Sequence, residues 1–356
     1  MSNKKTIGII FGGVSSEHNI SCISAKNVVS NIDYDKYNVV LIGITKEGRW
    51  FIYNDNINLL PEDKWIYSNK LVPAFISPDT SIHGIVCSTG EIIRLDAVFP
   101  VLHGKNGEDG TIQGLLQLAQ IPYVGCDATS SGVCMDKAIA NAVADACGIS
   151  QAKWCSINCY DYRNNSEQML DNAIEKLGLP IFVKPANAGS SVGISKAHNK
   201  EELKTAMEIA FKEDKKAVLE EFIIGHEVEC AVLGNNNPIT GEVGEIVAAA
   251  DFYDYDAKYN NPQSQLHIPA NISENKREEV KAQALRAYKA LGCEGMARVD
   301  FFVTTDDERV LLNEINTIPG QTSISMYQKL FEAVGIPYKE LIERLINHAL
   351  ERGGKI

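Results

Sequence analysis

The chain has 356 residues, 45% hydrophobic and 22% charged, and a formal net charge of −12. That length calls for more than one core. The acidic balance argues against generic binding to a nucleic-acid backbone, so a polyanionic ligand must meet a local group of lysines and arginines or arrive with metal ions.

The opening "MSNKK" runs straight into a strand-like segment, and no apolar stretch approaches membrane-spanning length, which reads as a cytoplasmic protein. Lys5–Phe11 is expected as a strand, Glu17–Ile32 as an amphipathic helix and Asn38–Ile44 as a second strand. This alternation implies a parallel sheet in an α/β unit. The turn between the first strand and helix has Gly12 and Gly13 but lacks the third glycine of a dinucleotide fingerprint. Glu17 in the first helical turn would repel a pyrophosphate there and suits an amine; the plainer alternative is a helix capped by Ser15 or Ser16, with Glu17 complementing the dipole. Leu95–Gly104 reads as a central strand ending at a crevice, and "IPYVG" as a further short strand.

A helix is expected over Ser130–Gly148, stopped by its glycine. "LPIFVKPANAGSSVGISKA" reads as strand, Gly/Ser loop and strand, and two more strands flank Gly225. Ala250–His267 has little apolar periodicity and reads as a long functional loop. A helix over Glu274–Leu291, a hairpin over Met296–Asn316 and a helical tail complete the chain. The nine cysteines form no Cys-x-x-Cys pair, and their odd number argues against a disulfide framework; they read as buried small hydrophobes.

The hairpin carries the strongest chemical signal. A turn about Asp307 places Asp300 opposite Glu314 and Arg298 opposite Asn316, and residues two apart share a strand face. Two carboxylates, an amide and a guanidinium then project together as a hard-oxygen site for Mg²⁺; the alternative is a solvated polar edge. Lys184 precedes Pro185 and "AGSSVG", whose small residues let backbone N–H groups approach an anion, although a simple hairpin turn reads equally well. Lys137 and Lys258 read as surface lysines in isolation. His103, at a strand end, faces a crevice as base, ligand or loop residue, with no second His or Cys at zinc spacing.

Seven ordered segments, "FGGVSSEHNIS", "VFPVLHGKNGEDGTIQGLLQ", "SSGVCMDK", "FVKPANAGSSVGISK", "FYDYDAKY", "ARVDFF" and "LNEINTIPGQTSIS", resemble the D-alanine–D-alanine ligases of the ATP-grasp superfamily over about Lys5 to Leu345. The resemblance implies a three-domain ATP-grasp fold: a Rossmann-like parallel-sheet domain at 1–127, a central subdomain at 128–222 and a C-terminal subdomain at 223–356, α+β in the ATP-grasp part. It implies that Lys137 and Lys184 contact ATP phosphates beneath a loop containing Ser190 and Ser191. Glu220, Phe222, Phe252 and Glu227 would take the nucleoside, and Asp300, Glu314 and Asn316 would hold two Mg²⁺ (or Mn²⁺) ions. Arg298 and the Gly320 N–H would stabilise an oxyanion, and Lys258 would reach the transferred phosphate. Glu17, supported by Ser190 and Tyr259, would receive the first D-alanine's ammonium beside His103, while Ser325 and Met326 would flank the second amino acid.

The implied reaction is ATP-dependent ligation of two D-alanines through an acyl phosphate, for peptidoglycan precursors. The implied partners are D-alanine, ATP and a second copy of the chain, with no nucleic acid or membrane. Depsipeptide-forming relatives typically lack the Lys258–Tyr259 pair, and D-serine-forming relatives carry arginine where Met326 stands; both features favour D-alanine. Ile324, where histidine is common, and Asn187–Ala188, in place of Arg-Glu, depart from the family pattern. The competing readings are a D-alanine–D-serine ligase, a nicotinamide-dependent dehydrogenase and a non-catalytic nucleotide sensor. The missing third glycine and the hairpin count against the dehydrogenase, and the full set of matched positions counts against the sensor.

Overall fold

The fold is taken from a computed structural model that describes residues 4–189, 192–247 and 265–353. Strand β1 (Lys5–Gly12) leads through helix α1 (His18–Asn31) to β2 (Tyr37–Ile44). The period of two in β1 sends Ile7, Ile9 and Phe11 to one face and Ile10 to the other, so both faces are buried. β3 (Trp50–Tyr53), β4 (Val72–Ile76), β5 (Gly84–Cys87), β6 (Ile92–Arg94) and β7 (Ala97–Pro100) complete a seven-stranded sheet in the order β6-β5-β4-β3-β2-β1-β7.

Only β2, β1 and β7 run parallel. The expected parallel sheet is therefore mixed, because the tight turn after β2, closed by the Gly48 N–H bonding Thr45 O, is too short for a crossover and returns β3 antiparallel. The predicted Leu95–Gly104 strand contracts to four residues, and "IPYVG" contributes one isolated bridge, Tyr123 to Val98. α1 begins at His18, not Glu17, and no side chain caps it. Ser15 Oγ accepts from the Glu17 N–H at 3.1 Å, but Ser15 stands two residues ahead of the N-cap position.

Gly43 illustrates how tightly this layer packs. A Cβ there would stand 2.4 Å from the ring of fully buried Trp65, which meets Phe11 edge-on at 4.9 Å. Gly43→Ala is expected to cost about 1–3 kcal/mol through overpacking, read as a lower urea midpoint at unchanged slope. An unaltered midpoint would show that the indole can yield.

α2 (Thr111–Leu118) covers the second face of this sheet through Ile112 and Leu116. The single helix expected over Ser130–Gly148 is two, α3 (Ala128–Met135) and α4 (Lys137–Ala146). Asp136 separates them with extended backbone, and its carboxylate accepts from the Ala138 and Ile139 N–H groups, so it caps α4 and starts a new helix axis at Lys137. β8 (Trp154–Asn158), α5 (Cys159–Leu177), β9 (Ile181–Pro185), β10 (Ser195–Ala197), α6 (Lys200–Glu213) and β11 (Lys216–Glu221) follow. Their strands form an antiparallel sheet, β10-β9-β11-β8, against which Leu170, Leu177, Leu203 and Met207 of the two helices pack.

The third sheet, β14-β13-β12-β15-β16, is built from β12 (Gly225–Leu233), β13 (Ile239–Val247), β14 (Gln265–His267), β15 (Met296–Thr304) and β16 (Val310–Asn316). Of the expected loop at Ala250–His267, the last three residues are strand β14 and the rest lies outside the described residues. α7 (Glu274–Ala290) covers one face through Val280, Ala284 and Tyr288. α8 (Met326–Glu332) and α9 (Tyr338–Gly353) join the other face to the α1 side of the first sheet in one continuous core. Asn27 of α1 donates to Gln321 O at 2.8 Å, so the end of the chain fixes its beginning. Six cysteines are buried as expected, but Cys147 is exposed and Cys155 and Cys159 are half-buried; all nine are free thiols. Among the described residues no helix is long and apolar enough to cross a membrane.

Candidate active site

The hairpin of β15 and β16 pairs Arg298 with Asn316 and Asp300 with Glu314, the two pairs that symmetry about Asp307 predicts. Nearer the turn the register slips by one, because Phe301 meets Leu312 and leaves Asn313 as a bulge. Arg298 grips Asp300 through Nη2 at 2.6 Å and Nε at 2.8 Å, and its Nε lies 3.1 Å from Glu229 Oε2 on β12. Burial would lower the guanidinium pKa, but Asp300 and Glu229 outweigh it and hold the group well above its ordinary value. Asn316 Nδ2 donates to Asp300 Oδ2 at 3.1 Å. Three carboxylates (Glu229, Asp300, Glu314) thus surround one guanidinium, an excess of hard oxygen donors that fits a divalent cation of the magnesium class.

Cations of the second sheet and of α4 face this hairpin. Lys184 on β9 lies 2.6 Å from Glu220 on β11 and donates to Asn313 Oδ1 at 3.2 Å, which gives the bulge a function: it turns an amide across the cleft. Burial depresses the Lys184 ammonium, but Glu220, Glu314 and Glu227 more than offset this and hold its pKa raised. Lys137, at the start of α4, donates to Ala188 O at 2.9 Å and lies 3.8 Å from Glu314. Phe222 packs 5.9 Å from Phe182, and the Lys196 ammonium stands 3.8 Å above its ring. Glu227 is half-buried on β12, and Glu220, buried, also accepts from Asn141 at 3.4 Å.

Glu17 is buried at the turn before α1. Its Oε2 would lie 2.5 Å from a Cβ on Gly104 and 3.1 Å from one on Gly189, so glycines from two loops let backbone close around the carboxylate. His103 Nε2 lies 3.0 Å from Ser24 Oγ and Nδ1 lies 3.8 Å from Glu108. Burial lowers the imidazole pKa, yet Glu108 and Glu17 prevail and it is raised. Thr317, just past β16, donates to Glu108 O at 3.4 Å and links the metal-type hairpin to the His103 loop.

Ser325 Oγ accepts from the Thr322 N–H at 3.0 Å, and a Cβ on Gly320 would come within 2.8 Å of that hydroxyl. Met326 is buried, and a Cβ on Gly244 would stand 2.3 Å from its Cε, so its side chain packs beneath β13. The cause is its place on the apolar stripe of α8, shared with Leu330. Ile324, in contrast, is half exposed. Ser190, Ser191, Phe252, Lys258 and Tyr259 lie outside the described residues.

Three polar residues of this cluster escape a reading by spacing alone: Glu108, Glu229 and Asn313. Glu229 left a signal, since Glu227 and Glu229 alternate with apolar residues on a strand otherwise fit for the core. Asn313 left none, because a bulge is invisible until two strands are paired.

Two family models match the chain, one described as D-ala D-ala ligase N-terminus over residues 6–126 and one as D-ala D-ala ligase C-terminus over residues 143–347. The D-alanine–D-alanine ligase of Acetivibrio thermocellus is 47% identical over 366 residues, covering 99% of this chain and 97% of that protein. That of Caldicellulosiruptor bescii is 48% identical over 352 residues, covering 98% and 96%. Among solved structures, the VanG D-Ala:D-Ser ligase from Enterococcus faecalis superposes with a TM-score of 0.90 at 41% identity, covering 98% of this chain and all of that one (100%). The D-alanine–D-alanine ligase from Coxiella burnetii gives 0.86 at 35% identity, covering 99% and 97%. Matched by both family models and by near-full-length relatives, the chain belongs to the D-alanine–D-alanine ligase family.

Proposed function

We propose that this chain uses ATP to join two D-alanines into D-alanyl-D-alanine, with residues 1–127, 128–222 and 223–356 acting as three units, each built on one of the three sheets. The observation that carries the reading is the confrontation of Asp300, Glu314 and Asn316 on one sheet with Lys184 of another and Lys137 at the start of α4. Such a cleft accepts a polyphosphate only if cations meet it from both walls. Asp300, Glu314 and Asn316 would hold Mg²⁺, which when bound neutralises charge on the transferred phosphoryl group.

Lys184 presently neutralises Glu220, so nucleotide entry exchanges one anion for another around a fixed ammonium. Glu220, relieved of that pairing, can accept from an adenine amino group, with Phe222 beside the ring and Glu227 towards the ribose. Glu17 holds the ammonium of the first D-alanine and directs its carboxylate towards the γ-phosphoryl group. The amine of the second D-alanine then attacks the resulting acyl phosphate. Arg298, rigidly held by two carboxylates, and the Gly320 N–H stabilise the oxyanion at no reorganisation cost during the reaction. Ser190 and Tyr259 support Glu17, Lys258 meets the phosphate, and Ser325 closes the second amino-acid subsite.

Met326 in place of the arginine of D-serine-forming relatives, the Lys258–Tyr259 pair and the curated relatives support D-alanine. The test is ATP turnover with D-alanine alone and with D-serine or D-lactate offered beside it, products identified by mass. D-alanyl-D-alanine is expected to dominate near neutral pH. Dominant D-alanyl-D-serine would instead align the chain with its VanG-like structural neighbour.

A further inference from the structure

A second set of metal-type ligands lies outside the ligase cleft. His18 and Cys22 are one helical turn apart on the same face of α1, and both are fully buried. Asp63, in the segment between β3 and β4, reaches the same point from a left-handed corner at φ 55°. One ligand atom from each of the three lies within 4.8 Å of the other two.

Each side chain is also held from behind. The Nδ1 of His18 lies 2.8 Å from Gly13 O, the carbonyl contact that leaves Nε2 as the ligating nitrogen in metal-bound histidines, and Nε2 points at Asp63 Oδ1 at 3.0 Å. Lys46 Nζ, 2.9 Å from Asp63 Oδ2, fixes the far side of the carboxylate and leaves Oδ1 turned inward. The Trp65 indole N–H, fully buried, lies beside the Cys22 thiol and finds no acceptor of adequate geometry. A neutral thiol is a weak acceptor, whereas a metal-bound thiolate is a strong one. The orphaned donor is therefore the group that an occupied site would satisfy.

We propose that His18 Nε2, Cys22 Sγ and Asp63 Oδ1 form a site for a borderline-soft divalent cation of the zinc class, which clasps α1 and the Gly12–Gly13 turn to the segment between β3 and β4. A mixed nitrogen, sulfur and oxygen donor set selects that class over Mg²⁺, which prefers oxygen. The partly exposed Asp63 gives the ion an entry path from solvent. Burial and the Asp63 carboxylate push the free Cys22 thiol up to about 12. Loading thus breaks the S–H bond as the sulfur–metal bond forms, the ion replaces any proton on Nε2, and the protons leave to solvent. Glu17 immediately precedes His18, so occupancy stiffens the turn that carries the proposed amine-binding carboxylate; the ion takes no part in ligation itself.

The test is a Co²⁺ titration of chelator-stripped full-length protein with Mg²⁺ present throughout. One equivalent of Co²⁺ is expected to bind with a thiolate-to-cobalt charge-transfer band, displaced by one equivalent of Zn²⁺. Cys22→Ser is expected to remove the band and weaken binding roughly 100-fold or more, while Cys147→Ser, at the exposed thiol, leaves both unchanged. If Cys22→Ser fails to fold, Asp63→Asn, at a partly exposed position, is expected to weaken Co²⁺ binding by about tenfold or more with its circular dichroism unchanged. Absence of a thiolate band, a band that survives Cys22→Ser, or affinity unaltered in the folded variants overturns the proposal.

Discussion

Replacing Arg298 with methionine is expected to destabilise the protein by about 3–5 kcal/mol and to remove turnover, because it leaves Asp300 and Glu229 buried without their guanidinium. Methionine keeps the unbranched apolar stem of the side chain, so most of the loss reports the missing guanidinium. The sign of the pH dependence follows from the same pairing. In the variant both carboxylates have folded pKa values raised above their unfolded values, so the folded state binds more protons than the unfolded state as pH falls. The deficit relative to the parent is therefore largest near pH 7 and narrows towards pH 5. Arg298→Lys is expected to recover part of the stability but little turnover, since an ammonium cannot make the two-pronged contact that Nη2 and Nε make with Asp300. Urea unfolding at the two pH values measures this; a loss below about 1 kcal/mol with no pH dependence would show that the guanidinium does not neutralise the pair.

Glu314→Gln should lower kcat by roughly 10²–10³-fold while leaving the fold intact. The substitution keeps shape and one amide oxygen but removes a charge from the proposed Mg²⁺ ligand set. It also removes the carboxylate 3.8 Å from the Lys137 ammonium. Raising Mg²⁺ should restore part of the rate, as expected if affinity for the ion is what was lost, and the thermal midpoint should move little because the side chain is partly exposed. Turnover within tenfold of the parent, at the same Mg²⁺ requirement, would take Glu314 out of the site.

The metal-type hairpin was legible in the sequence because antiparallel pairing is a linear rule. Once a turn is placed, partner positions sum to a constant, and Arg298/Asn316 and Asp300/Glu314 follow. The rule failed at Asn313, since a bulge adds a residue to one strand without changing any local pattern, and Lys184 reaches across to the amide it exposes. The break at Asp136 was missed for a related reason. Ser130–Gly148 keeps helical composition throughout, and only the capping bonds of Asp136 to the next turn reveal two axes.

The sequence by itself determined the opening strand–helix–strand unit, the helix over Glu274–Leu291, the hairpin with its opposed carboxylates and, through seven ordered motifs, the family, whereas the short strands β3 to β6 left no expectation. Those features depend on period, turn chemistry and order, which are local or linear along the chain. Tertiary structure alone decided which side chains meet across distance: Lys184 with Glu220 and Asn313, Thr317 with the His103 loop, Met326 against Gly244 and Asp63 against His18. Each of those meetings joins separate segments whose approach is fixed by how the sheets and helices pack. Packing depends on the volumes and shapes of many side chains at once, and no short stretch of sequence carries that information.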